Sequence, residues 1–168
     1  MTSLMKSIVI YYSYSGNTKA VARVLVELLS GKGQVDQIEL IALDESRSFF
    51  TQCKRAFSHV RANISETNFN LSGYDLICLG SPVWAFGPAP AMNTYLDKCS
   101  GIEGKEIILF ATYGSGTVKE RCLDYMQGLL AQKGALVFKR LTIQQRKVKN
   151  REFVSSEINK VLRLWPNG

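Results

Sequence analysis

The sequence predicts an α/β domain: five strands forming a parallel sheet, with helices covering both faces. Two observations predict it. Short apolar runs alternate with longer amphipathic stretches along the chain, and glycines stand between each amphipathic stretch and the strand that follows. Repeated βα units of this kind bury both faces of a parallel sheet, giving three layers. At 168 residues, 46% hydrophobic and 21% charged, the chain can bury one good core but is short for two. Residues 1–168 are therefore read as one domain.

The strands are read at 7–12, 34–40, 75–79, 106–112 and 135–141, where β-branched and aromatic residues cluster between turn-forming residues. The first helix is marked by Val21, Val24, Leu25, Leu28 and Leu29, a spacing that puts all five on one face. Phe49, Phe50, Cys53, Phe57 and Val60 mark a second, and Met92, Tyr95, Leu96 and Cys99 a third. Val118, Cys122, Tyr125, Met126, Leu129 and Leu130 mark a fourth. Phe153, Val154, Ile158, Val161, Leu162 and Trp165 mark a fifth.

The four cysteines, Cys53, Cys78, Cys99 and Cys122, show no C-x-x-C spacing and fall on apolar positions, as core thiols in a reducing compartment would. No basic-then-apolar leader and no bilayer-length apolar run is read, so a soluble, cytoplasmic protein without a membrane partner is expected. His59 is the only histidine and stands on the second predicted helix, so a Ser-His-Asp triad or a histidine metal site lacks parts. Neither G-x-x-x-x-G-K-[ST] nor G-x-G-x-x-G occurs; after Gly114-Ser115-Gly116, Lys119 stands where a third glycine would fall. A receiver domain would need acidic residues where Ser13 and Ser81 stand, and a low-molecular-weight phosphatase would need Cys and Arg in place of Ser13 and Lys19. No catalytic side chain and no metal site is expected.

In a parallel sheet the carboxyl ends of all strands share one edge, and ligands bind there at the topological switch point. Three connections on that edge stand out. After the first strand comes Ser13-Tyr14-Ser15-Gly16-Asn17-Thr18, a hydroxyl-rich turn leading into a helix; its free N–H groups and partial positive charge suit a phosphate. After the third comes Gly80-Ser81-Pro82-Val83-Trp84-Ala85-Phe86-Gly87-Pro88, read as a loop with two aromatics. After the fourth, Thr112 leads into Tyr113-Gly114-Ser115-Gly116. Together they describe a site for a phosphorylated planar aromatic cofactor.

These segments, with Ser81-Pro82-Val83-Trp84 followed by Pro88-Ala89-Pro90 and Tyr95-Leu96, resemble the small FMN-binding proteins of the flavodoxin family over nearly the whole chain. The resemblance implies a flavodoxin-like fold with strand order 2-1-3-4-5 and FMN as cofactor. It implies that Ser13, Ser15 and Thr18 and the main chain from Tyr14 through Thr18, including Gly16 and Asn17, surround the phosphate. Trp84 would stack on the isoalloxazine or lie half buried between loop and core, with Ser81, Pro82, Val83 and Ala85 beside it in the cofactor-binding set. Phe86 would flank the ring or pack under the loop. Gly87 would offer a flippable peptide or serve as a turn residue. Tyr113 would lie at the ring edge or end its strand structurally, with Thr112, Gly114, Ser115 and Gly116 near the pyrimidine oxygens.

Two functions fit: electron transfer between partner proteins, or an FMN-dependent NAD(P)H:quinone oxidoreductase. The chain departs from acidic carrier flavodoxins in its formal charge of +7 and in the Gly-Ser-Gly after Tyr113. Lys139, Arg140, Arg146, Lys147, Lys149 and Arg151 bracket the end of the fifth strand. They are a solvated surface, or a patch for an acidic redox partner or for the phosphates of NAD(P)H. Aromatics do not interleave with them, so a nucleic-acid partner is not expected.

Overall fold

The computed structural model describes residues 4–44, 51, 54, 61–116 and 119–163. β1 (Met5–Tyr11) is buried from Ser7 onward. α1 (Asn17–Ser30) follows and turns Val21, Ala22, Val24, Leu25 and Leu29 inward, as its spacing requires. β2 (Gly33–Glu39), β3 (Leu76–Trp84), the two-residue β4 (Gly87–Pro88) and α2 (Pro90–Lys98) come next. Pro90 opens α2, a position where its missing N–H costs nothing. β5 (Glu106–Tyr113), α3 (Lys119–Gln132), β6 (Val137–Gln144), a 3₁₀ turn at Gln145–Lys147 and α4 (Arg151–Arg163) complete the described chain.

The parallel strands lie in the order β2-β1-β3-β5-β6, with β4 pairing antiparallel to β3. Setting β4 aside, this is the expected 2-1-3-4-5 sheet. The pleat sends alternate residues to opposite faces, so each strand feeds two cores. Ile8, Ile10, Ile77, Leu79, Ile107 and Leu109 pack with Met92, Leu96, Cys122 and Met126 on one side. Val9, Tyr11, Cys78, Ile108 and Phe110 pack with Leu25, Leu29, Val154 and Ile158 on the other. Each large aliphatic so buried contributes about 1.5–3 kcal/mol, which makes these two layers the main source of stability.

The largest departure from expectation is at β3. Its strand was expected to end at Leu79 and the next nine residues to be loop; instead β3 continues to Trp84 and returns through β4 as a hairpin. Gly80 and Pro82 read as loop residues, yet both fit here: Gly80 pairs with Phe110 and Pro82 with Thr112 at the end of the ladder. The hairpin turns through Ala85 (φ 44°) and Phe86 (φ 74°), the paired positive angles of a type I′ turn without its usual Asn-Gly. β6 runs three residues past its expected end because the alternation of buried Leu141 and Ile143 continues to Gln144.

The second expected helix, 49–60, with Cys53 and His59, lies outside the described residues apart from Thr51 and Lys54; Val118 and Trp165 lie outside them too. Cys78, Cys99 and Cys122 are buried free thiols. Burial pushes all three thiols up, that of Cys122 to about 12, so none is poised for thiolate chemistry. No described helix is long and apolar enough to cross a membrane.

Candidate cofactor site

Direct contacts join the three loops. Tyr14, in the turn after β1, meets the Trp84 ring edge-on with centroids 5.4 Å apart. Thr18 Oγ1, in the first turn of α1, lies 2.8 Å from Thr112 Oγ1 at the end of β5. Pro82 pairs with Thr112 across the β3–β5 ladder. The carboxyl ends of the central strands therefore close around one mouth.

The turn after β1 is arranged to leave donors open. Gly16 caps α1 in a left-handed conformation, φ 86°, with no side-chain cap and no acidic residue in the first turn. Ser13 Oγ accepts the Lys19 N–H at 3.1 Å, while Asn17 Nδ2 donates to Ser15 Oγ at 3.0 Å. Among the described residues the amides of Ser15 to Thr18 have no protein acceptor. Open amides at a helix N-terminus and three nearby hydroxyls are the donor set a phosphate dianion needs, and charge-assisted bonds of this kind are short and strong.

Thr18 and Thr112 are buried, at 1% and 0% exposure, so their shared hydrogen bond is shielded from water. In such a pair one hydroxyl donates to the other, leaving the acceptor's own proton for a further partner. Lys19, one residue on, is held elsewhere: its Nζ lies 2.6 Å from Glu39 Oε2. Gln37 Nε2 donates to Tyr11 Oη at 2.9 Å beside the same carboxylate. Burial, with Glu39 adding to it, raises the Tyr11 phenol above its usual range, so it stays protonated.

The aromatics divide into buried and exposed. Trp84 is 3% exposed and packs with the core, with Tyr12 5.7 Å away edge-on and Tyr14 above it. In this arrangement it forms the floor of the mouth. Among the described residues the exposed rings are Tyr14 at 38% and Phe86 at 42%. Ser81 is also structural, since its buried Oγ accepts the Ala89 N–H at 2.9 Å and ties the hairpin to the start of α2. Gly87 sits in β4 opposite Trp84, and the unusual backbone angles fall on Ala85 and Phe86 instead.

The loop after β5 is held from the end of β6. Gln144 Nε2 donates to the Gly114 carbonyl at 3.1 Å, and Arg146 Nε donates to Gln144 Oε1 at 2.8 Å. Gly114, Ser115 and Gly116 are exposed, with Gly116 left-handed at φ 92°. Lys119 Nζ lies 4.7 Å over the Tyr113 ring, and Arg121 lies 5.6 Å over that of Phe86. Neither cation was singled out for the site by sequence, because both read as helix residues; their place at a helix start on the carboxyl edge was the available signal. No group of His, Cys, Asp and Glu suited to a metal occurs among the described residues.

A family model described as Flavodoxin matches residues 6–153. The chain belongs to the flavodoxin family. Among solved structures it is similar to a flavoprotein from Lactobacillus acidophilus in complex with FMN, at 22% identity and TM-score 0.67, covering 88% of this chain and 99% of that one. Flavodoxin 2 from Bacillus cereus in its oxidised form matches at 20% identity and TM-score 0.62, covering 95% and 99%. An NADH:FMN oxidoreductase in its apo form matches at 16% and 0.65, covering 94% and 86%. Identities at this level speak for the shared fold.

The cofactor of this family is FMN, and the site fits it: open amides and hydroxyls for the phosphate, and Tyr14 and Phe86 exposed beside the mouth. The Lys19–Glu39 pair gives a direct test of the turn. With Glu39→Gln, Lys19 loses its counter-charge and can lean toward the phosphate. FMN affinity should rise by up to about fivefold at low salt, the scale of a half-exposed ion pair. Titration of FMN against protein fluorescence checks it, and unchanged affinity would leave Lys19 a purely structural tether.

Proposed function

We propose that this protein is an FMN-binding electron carrier, exchanging electrons with partner proteins. One observation carries the reading: among the described residues, the exposed rings of Tyr14 and Phe86 lie on the loops at the carboxyl edge, beside the donor-rich start of α1. A ring held there would have its edge at the protein surface, where another protein can approach. Bound FMN supplies the redox chemistry, and the polypeptide holds, orients and electrically tunes it. The buried free thiols suit a reducing cytoplasm as the place of work.

The open N–H groups of Ser15 to Thr18 would anchor the phosphate, with the Ser13 and Thr18 hydroxyls supporting them. Ser115 and the glycines beside it would offer N–H groups to the pyrimidine edge. The competing reading, an FMN-dependent NAD(P)H:quinone oxidoreductase, differs in what reduces the flavin. Purified protein should take up FMN far more tightly than riboflavin, read from the visible spectrum. Adding NADPH or NADH alone should leave the flavin absorbance unbleached over seconds. Rapid bleaching without a separate reductase would replace the carrier by the oxidoreductase.

A further inference from the structure

The positive charge of this chain is not spread evenly over its basic residues. Lys139 Nζ lies 2.6 Å from Glu106 Oε1, and Arg151 is paired with Glu27. Arg140 Nη1 lies 2.8 Å from Asp124 and 3.6 Å from Glu120. Those three cations are neutralised where they stand. α3 thereby separates its signs: Glu120 and Asp124 face Arg140, while Lys119 and Arg121 face the mouth over Tyr113 and Phe86.

The cations left at the carboxyl edge form a continuous arc. From Arg146 the contacts run through Gln144 to the Gly114 carbonyl; Tyr113, next to it, carries Lys119; and Arg121 reaches the hairpin at Phe86. Arg146 and Arg121 have no carboxylate partner among the described residues. Inside the arc stand the exposed rings of Phe86 and Tyr14. A charged rim around an aromatic centre is the anatomy of a protein-docking surface.

Resting on the electron-carrier reading, we propose that this arc docks an acidic redox protein, whose carboxylates meet Lys119, Arg121 and Arg146 and whose apolar centre meets Phe86 and Tyr14. The three cations come from separate positions around the rim, whereas the phosphates of a dinucleotide would need them to converge. Exposed rim charges chiefly steer the encounter and set partner sign. Each encounter moves one electron: the donor's iron–sulfur centre is oxidised, the bound flavin is reduced, and no covalent bond forms. Any proton the flavin takes up comes from solvent.

The test uses an acidic plant-type [2Fe–2S] ferredoxin as probe and two variants of equal charge change. One is Lys119→Glu, Arg121→Glu, Arg146→Glu; the other is Lys32→Glu, Lys98→Glu, Arg163→Glu, with Lys32 just past the end of α1 and Lys98 and Arg163 at the C-terminal ends of α2 and α4, on the opposite edge. Urea midpoints and FMN uptake are measured first, so that failure of the flavin reading is seen separately. Binding of oxidised ferredoxin to the FMN-free protein is then measured by calorimetry at low salt. The rim variant should bind at least about tenfold more weakly and the opposite-edge variant within about twofold of the parent, the difference vanishing at high salt. Lys119→Gln, Arg121→Gln, Arg146→Gln should show a smaller loss in the same direction. Equal weakening in both charge-reversal variants would reduce the arc to net charge and overturn the proposal. So would intact ferredoxin binding in the rim variant, including the case where that variant instead slows flavin bleaching by NADPH.

Discussion

Replacing Gly80 by alanine should destabilise the protein by about 3 kcal/mol, the upper end of what overpacking a tight core costs. The cause is the cross-strand partner. Phe110 lies opposite Gly80 in the β3–β5 ladder, and its ring covers the glycine, so that an added Cβ would stand 2.0 Å from Phe110 Cζ. Phe110 is fully buried between the sheet and the helices of that face, which leaves its ring little room to move. A glycine beneath an aromatic ring is an interlocked pair, so the two positions should be strongly coupled. Combining Gly80→Ala with Phe110→Leu should recover much of the loss, although Phe110→Leu alone destabilises. Urea unfolding of the four proteins measures this; additive effects would show that the ring is not what excludes the methyl group.

The largest effect on ligand binding is expected from Ser13→Ala combined with Thr18→Val. The substitutions remove two hydroxyls from the turn while Val preserves the shape of Thr18 in its buried place. A hydrogen bond to a charged group contributes about 1.5–3 kcal/mol, so losing two should weaken FMN by about two orders of magnitude or more. Ser13→Ala also strips the Lys19 N–H of its acceptor, and Thr18→Val leaves the Thr112 hydroxyl without its buried partner. Riboflavin, which has no phosphate, should bind the variant almost as well as the parent. Comparing the two ligands by fluorescence titration isolates the phosphate from the ring, and equal losses for both would contradict a phosphate role for this turn.

The strands and the turn after β1 were legible because each rests on local pattern, whereas the order of the strands came with the family resemblance. Val9 and Tyr11 alternate with Ile8 and Ile10, and Gly16 stands where the chain must turn left-handed into α1. The hairpin was not legible. Its turn uses Ala85 and Phe86 at angles that favour glycine or asparagine, and its strand contains Gly80 and Pro82, so local propensity argued for a loop. Tertiary pairing with β5 overrode it. The burial of Trp84 was hidden for a related reason: a loop tryptophan suggests a flat exposed face, but a strand tryptophan at that position turns into the core. The sorting of the basic residues was equally hidden, because whether Arg140 is neutralised depends on Asp124 reaching it from α3.

The place of β1 in the sheet has a consequence for synthesis. Its first partner, β2, follows within one helix: Met5 meets Gly33. Its second is much farther along the chain, since Ser7 meets Leu76. While the chain emerges from the ribosome, β1, α1 and β2 can assemble early, yet one whole edge of β1 stays unpaired until β3 arrives. Ile8 and Ile10 wait with it, because α2 and α3, which cover their face, come later still. A nascent chain in this state presents an open strand edge and an apolar sheet face together, the combination that invites association with other chains. β1 thus waits with one edge open while the strand that covers it is still being made, and the interval between β2 and β3 is when this protein most needs protection.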